Sequence, residues 1–399
     1  MRRAAGGLLL ALLLGLSAAL PAWAGVPIAY RAADGDSWAR IALRHGVSVA
    51  ALRAANPGLD AARGWVRLPD AARLPDAPSI ALLASAYQEI SAIVEDAQID
   101  AVYRIVGREF HVGRWAGANI VAGVAGGNMD NAAIGATVLL QHFNVRALGF
   151  VGIAGGGGAT RVGDVIVAAA AVQHDQGNWY DFALDGGQTF AGLSWQMRGQ
   201  PLLSDAGRVA RLVLQPDPAL LARIGRSVAG LELPPIGDEV AAFHGVAPYR
   251  PALWLDGWSA SGSQFITSHH ARSTIERRMA LAAQRLDLPP PPRFVVDQED
   301  FAAVLASEEH GVPWFIVRVV VDLAAQKSAA AGIPLALYDR PEEIPAWLAA
   351  NGQQSHAKHF DWSYFYRLIA LTLRPVVHEL GAAADDDAPR ASGAAAAAR

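Results

Sequence analysis

The chain of 399 residues contains no cysteine. That excludes a disulfide framework, a thiolate nucleophile and any cysteine-ligated metal centre. Lysine is almost as scarce: only Lys327 and Lys358 occur, so nearly all the basic residues are arginines. There are 33 basic and 37 acidic side chains, and the formal net charge is −4. The chain therefore lacks the positive balance of a nucleic-acid binder. Charged residues make up only 18% and hydrophobic ones 52%, which excludes a disordered polymer and permits a sizeable core.

Only one apolar run is long enough to raise the question of a membrane span, and it lies at the start. Arg2 and Arg3 precede Leu8 to Leu20, and Ala22-Trp23-Ala24 supplies small residues at a cleavage site. A charged leader, a short apolar stretch and such a site predict a secretory signal peptide over residues 1–24. The run is short for a span, and Pro21 ends it. The expected mature protein is mildly acidic, secreted across the inner membrane, and periplasmic or cell-wall associated.

Residues 28–75 form a first unit, closed by the proline-rich stretch Leu68-Pro69 to Pro78. The pattern predicts a strand over Ile28–Arg31, a helix over Ser37–His45 and a second helix over Val49–Ala55. Ser37 and Ser48 are the expected N-caps, and Asn56-Pro57-Gly58 stops the second helix. On Gly35-Asp36-Ser37-Trp38, Ile41-Ala42, Gly46-Val47-Ser48, Leu52, Asn56-Pro57 and Leu68-Pro69, this small βααβ domain resembles a LysM module. The resemblance implies a shallow groove for N-acetylglucosamine-containing glycan, usually peptidoglycan.

Over residues 79–380 apolar runs alternate with helical segments, the signature of an α/β domain. Strands are expected at 80–84, 110–115, 119–125, 147–153, 164–172, 253–259, 294–296 and 314–321. Residues 186–251 and 327–358 read as irregular insertions, and the Ala/Asp-rich tail 381–399 as disordered. The sequence Trp314-Phe315-Ile316-Val317-Arg318-Val319-Val320-Val321-Asp322 is the most informative. An arginine inside so apolar a strand is costly unless a carboxylate or a ligand answers it. Asp322 falls at the strand's carboxyl end, where open α/β sheets bind ligands. It equally suits the N-cap of a helix starting at Leu323. Glu89 and Glu299 also follow apolar strands, so three acids converge on one sheet edge. Two glycine runs, Gly126-Gly127-Asn128 and Gly152 to Gly158, each follow an apolar strand; they would let a ligand approach the backbone amides, but glycine alone more often marks a turn, and Asp130 or Asn131 can cap the helix after the first. Neither matches a dinucleotide or phosphate-loop signature, so no cofactor is expected. His269-His270 lacks further ligands at useful spacing and reads as an exposed helix start, so no metal is expected either.

The ordered series Ser85-Ala86-Tyr87-Gln88-Glu89, Ala132–Ala136, Val151–Gly156, Val162–Val167, His174-Asp175, Ser261–Ile266, Val296–Glu299 and Val317–Ala324 resembles the nucleoside phosphorylase superfamily. Within it the chain is similar to the 5′-methylthioadenosine/S-adenosylhomocysteine nucleosidases. The resemblance implies a three-layer mixed sheet flanked by helices, a purine nucleoside substrate and a homo-oligomer. It assigns Asp322 as the acid that protonates purine N7, Glu89 as the base that activates water, and Arg318 as the group that orients that base. Glu299 would take the ribose hydroxyls, and Gln298 would lie under the sugar. Phe265 would stack on the purine and Ile266 would read its edge, with Ile153 and Gly126 also at the substrate. Phosphorylases of the superfamily bring an arginine and a serine to phosphate; here those positions hold Phe150 and Ile153. Hydrolysis is therefore favoured, with phosphorolysis and non-catalytic nucleoside binding as alternatives. Ile153, Val321 and Gln298 depart from the residues usual in the nucleosidases.

Overall fold

The computed structural model describes residues 26–60, 62–175, 179–180, 189–190, 213–324 and 361–387, with single positions at 343, 346, 347 and 350. The expected signal peptide, most of the 327–358 insertion and residues 388–399 lie outside the described residues. Among the described residues no helix is long and apolar enough to cross a membrane. The chain divides into two compact units, Met1–Leu74 with Tyr103–Gly107, and the remainder.

The first unit runs β1 (Ile28–Arg31), α1 (Trp38–Arg44), α2 (Val49–Ala54) and β2 (Trp65–Arg67), as the pattern predicts. Ser37 and Ser48 cap the helices, accepting hydrogen bonds from the Arg40 and Ala51 amides. Asn56 earns its place by joining elements: its Nδ2 donates to Leu52 O and Arg67 O at 2.7 Å, and its Oδ1 accepts from Arg67 N at 2.8 Å. β1 pairs antiparallel with β2 and, on its other edge, with Tyr103–Ile105. That distant segment is part of the unit's core. Tyr103, Tyr30 and His45 are fully buried, with ring centroids 5.3–5.8 Å apart. Burial lowers the pKa of His45, so the ring is held neutral.

The second unit opens with β3 (Ser79–Ala84), α3 (Tyr87–Asp96), β4 (Gln98–Ile105, whose last three residues belong to the first unit), β5 (Arg108–Trp115) and β6 (Ala118–Val124). Next come α4 (Met129–His142), β7 (Val145–Gly158), β8 (Val165–Val167), β9 (Ala170–Gln173), the short pair β10 (Trp179–Tyr180) and β11 (Thr189–Phe190), and β12 (Val213–Leu214). The rest is α5 (Pro218–Ser227), α6 (Asp238–His244), β13 (Leu253–Trp254), β14 (Trp258–Ser261), α7 (His269–Arg285), β15 (Arg293–Asp297), α8 (Asp300–Glu309), β16 (Trp314–Asp322) and α9 (Ser363–Asp387). Helices flank a mixed sheet. β3 is buried along its whole length and lies parallel between β6 and β7, and β16 runs parallel to β7 on another side.

Several expectations change. β4 is missing from the expected strands, although buried Ala101, Tyr103 and Ile105 alternate with the outward Asp100, Val102 and Arg104. The expected strands 164–172 and 253–259 each break into two, β8 with β9 and β13 with β14. Asp164 is a buried turn acid, accepting from the amides of Arg161 and Ala252, and Gly257 lets Ile166 approach closely. The 186–251 insertion is not irregular throughout, because α5, capped by Asp217, and α6 lie within it. Helix α9 continues past Leu380 to Asp387.

The largest correction concerns Gly152–Gly158. This run is not a turn but the continuation of β7, pairing antiparallel with β15 through Arg293↔Gly158, Phe294↔Gly157, Val295↔Gly156 and Val296↔Gly155. Glycine is required here by crowding. A Cβ on Gly157 would collide with the Phe294 ring, and one on Gly156 with Thr160 Oγ1. The other run does turn, but Asn128 is the cap of α4 (φ +72°), accepting from Asn131 N; neither Asp130 nor Asn131 has that role.

Candidate active site

A cavity of about 300 Å³ opens at the carboxyl ends of β3, β15 and β16, beside Ile153–Gly155 in the middle of β7. It brings Glu89, Ile153, Phe265, Ile266, Gln298, Glu299 and Asp322 together, although they span more than half the chain. Two expected members do not line it. Gly126 (φ +95°) packs on the Asn131 side chain; two residues on, Asn128 reaches the lining, donating its amide to Glu299 Oε1 at 3.1 Å. Arg318 is completely buried and does not line the cavity; it lies against the carboxylates that do.

Glu89 sits in the first turn of α3, where the helix N-terminus favours an acid. Its Oε2 accepts from the Ser85 amide (3.0 Å), the Ser85 hydroxyl (2.6 Å) and the Ala86 amide (3.0 Å). Its Oε1 accepts from Ile153 N at 2.8 Å and lies 3.7 Å from Arg318 Nη1. The same Nη1 donates to Ile153 O at 2.9 Å, so the Ile153 peptide is clamped from both sides. Gly152 makes this approach possible. In register it stands opposite Arg318, and a Cβ there would collide with Glu89 Oε1 and Arg318 Nη1.

The sequence calls for a carboxylate or a ligand to answer Arg318, and the structure supplies four carboxylates. The guanidinium contacts Asp300 through Nε (3.0 and 3.2 Å) and Nη2 (2.8 Å), Glu299 at 3.2 Å, Asp297 at 3.8 Å and Glu89 at 3.7 Å. Burial opposes its charge, but Asp300, Asp297, Glu299 and Glu89 outweigh that and hold it protonated. Asp297 is fixed below its usual range despite burial, by Arg318 and by the Ser259 hydroxyl and Asp300 amide that it accepts from. Burial raises Glu299, with Arg318 and the Asn128 amide pulling the other way.

Asp322 is placed differently. Among the described residues its Oδ1 accepts the Ala324 amide, at 2.7 Å, across a turn with Ala324 at φ +48°. Burial raises its pKa, against smaller pulls from that amide and from His244 of α6. The chain after Ala324 lies outside the described residues, so the alternative of a helix cap finds no helix among the described residues. Gln298 Nε2 donates to Ser263 O at 3.2 Å, and Phe265, 73% exposed, stands at the mouth. Phe150 is buried with Arg318 5.2 Å from its ring centroid, so it and Ile153 offer no side-chain donor to an anion.

Sequence reasoning missed Asp300, Ser259, Trp362 and Tyr366. Asp300 was visible as a further acid directly after Glu299. Trp362 and Tyr366 line the cavity from the start of α9, and nothing in their local pattern separates them from that helix's core face. Among the described residues no group of three or more His, Asp and Glu side chains could hold a metal ion.

Comparison with known proteins gives a consistent result. A family model for the LysM domain matches residues 30–63, and one for the phosphorylase superfamily matches residues 79–347. The 5′-methylthioadenosine/S-adenosylhomocysteine nucleosidases of Mycobacterium bovis and Mycobacterium tuberculosis are each 24% identical over 256 residues, covering 63% of this chain and 88% of theirs. Among solved structures, the same type of nucleosidase from S. pneumoniae is 19% identical with a TM-score of 0.48, covering 76% of this chain and 99% of its own. The futalosine hydrolase of Helicobacter pylori is 17% identical with a TM-score of 0.43, covering 74% and 97%. With well over half of its residues matched by the one model, the chain belongs to the phosphorylase superfamily.

Proposed function

We propose that the second unit hydrolyses the N-glycosidic bond of adenosine-like or 5′-thioadenosine nucleosides, and that the first unit holds the exported protein at peptidoglycan. The observation that carries the chemistry is the pairing, in one cavity, of an acid raised by burial (Asp322) with a hydrogen-bonded carboxylate (Glu89). Asp322 delivers its proton to purine N7 as the C1′–N9 bond breaks. Glu89 takes a proton from water as the water oxygen bonds to C1′. Arg318, fixed behind, positions Glu89 and Glu299, and Glu299 accepts from the ribose hydroxyls. Phe265 and Ile266 hold the base, and Gln298 lies beneath the sugar.

Water is the acceptor in this reading because Phe150 and Ile153 give phosphate no side-chain donor. The names of the curated relatives point to the same reaction class. The LysM-domain match and the capped βααβ unit support glycan binding. A phenylalanine as exposed as Phe265 at the mouth fits a homo-oligomer in which a second copy covers it.

The test is to incubate pure protein with adenosine, inosine and methylthioadenosine, with and without phosphate. Release of free base and free sugar without phosphate is expected. A strict phosphate requirement would identify a phosphorylase instead, and nucleoside affinity without turnover a binding protein.

A further inference from the structure

The four carboxylates around Arg318 exceed the charge of one guanidinium, and the position of one hydroxyl shows how the excess is relieved. Ser259, on β14, is completely buried, and its Oγ lies 2.6 Å from both Asp297 Oδ2 and Asp300 Oδ2. A hydroxyl has one hydrogen to donate, so the second short contact needs a proton brought by a carboxyl group. Asp297 has no need of it: its Oδ1 already accepts from the Ser261 hydroxyl at 2.9 Å and from the amides of Glu299 and Asp300 at 2.8 Å. The consistent arrangement is Asp300 Oδ2–H donating to Ser259 Oγ, which donates to Asp297 Oδ2.

We propose that Asp300 is a positioning residue for the hydrolysis described above, holding a proton against Asp297 across Ser259 and so leaving the Arg318 charge to be shared with Glu299 and Glu89. The inference rests on the hydrolase reading for its consequence but not for its geometry. The groups facing Asp300 are Arg318 from β16, Asp297 from β15, the neighbouring Glu299, Ser259 from β14 and, beyond the guanidinium, Glu89 from α3. His174, on the chain just past β9, acts on Asp297. Burial raises the Asp300 carboxyl well above its usual range, in keeping with a retained proton. When pH rises far enough to remove it, the full charge on Asp300 strengthens the contacts it already makes with Arg318 Nε and Nη2 and weakens the guanidinium's hold on Glu299 and Glu89.

Infrared difference spectroscopy of the intact protein at neutral pH tests the proton directly. Between wild type and Asp300→Asn, loss of a protonated-carboxyl C=O stretch is expected; loss of carboxylate stretches alone would overturn the proposal. Should Asp300→Asn not fold, Ser259→Ala carries the test. It removes the acceptor, and the same stretch is expected to move to higher frequency, whereas an unshifted band would overturn the proposal. In turnover the Asp297/Asp300 pair adds an ionisation to that of Asp322, so Asp300→Asn is expected to alter the alkaline side of the kcat profile. A purely structural Asp300 would leave the shape of that profile unchanged. If wild type releases no base but the C=O band is lost, the hydrolase reading fails alone; base release without the band refutes the shared proton alone.

Discussion

The two ends of the cavity solve opposite problems. At the Glu89 end a carboxylate is surrounded by donors: two amides and a hydroxyl on one oxygen, an amide and a guanidinium on the other. At the Asp322 end a carboxyl of the same chemical type receives one amide and is otherwise taken out of water. Burial raises the Asp322 carboxyl above its usual range. Two carboxyl groups of one cavity are thus set apart by unequal hydrogen bonding.

The sharpest way to break this contrast is to remove either acid. Asp322→Asn and Glu89→Gln are each expected to lower kcat by about 10²–10⁴-fold with the fold retained, measured by base release and circular dichroism. They differ in pH dependence. Asp322 works protonated and burial raises its pKa, so wild-type activity falls as pH rises through that value. Asp322→Asn should lose that limb, and Glu89→Gln should keep it.

Gly152→Ala breaks one end only. The added methyl strikes Glu89 Oε1 and Arg318 Nη1, so a stability loss of about 1–3 kcal/mol by chemical denaturation is expected. It should be accompanied by a larger fall in kcat than in nucleoside affinity.

Ser85→Ala sharpens the contrast by removing one of Glu89's donors. A cost of about 1 kcal/mol is expected in denaturant titrations, without movement of the alkaline limb. The smallest effect belongs to His244→Phe. His244 pulls the Asp322 pKa down against burial, so its removal should carry activity to slightly higher pH, visible as a displaced limb in the kcat profile.

Much of this site was legible in the sequence because its chemistry conflicts with its surroundings. An arginine inside Trp314–Asp322 demanded carboxylates, and acids just past apolar strands marked one sheet edge. The first unit was legible for a different reason: Ser37, Ser48 and Asn56 are local signals acting over a few residues. What stayed hidden was non-local. No spacing rule reveals that Gly152–Gly158 remains extended because Phe294, Thr160 and Glu89 come from elsewhere to occupy the room a side chain would need. Nor could the pattern at the start of α9 show that Trp362, just before it, and Tyr366 line the cavity, or that Tyr103 packs with Tyr30 from a distant part of the sequence.

The dual pairing of β7 has a consequence for how this scaffold can change. Ile153 presents its amide to Glu89, and two residues later Gly155 lies against Asp322, so one short ribbon works as a ruler between the two acids. Neighbours hold that ribbon along both edges, β16 in one direction and β15 in the other. The distance between the acids is thus locked into the sheet, whereas Phe265, 73% exposed, is held by no such pairing.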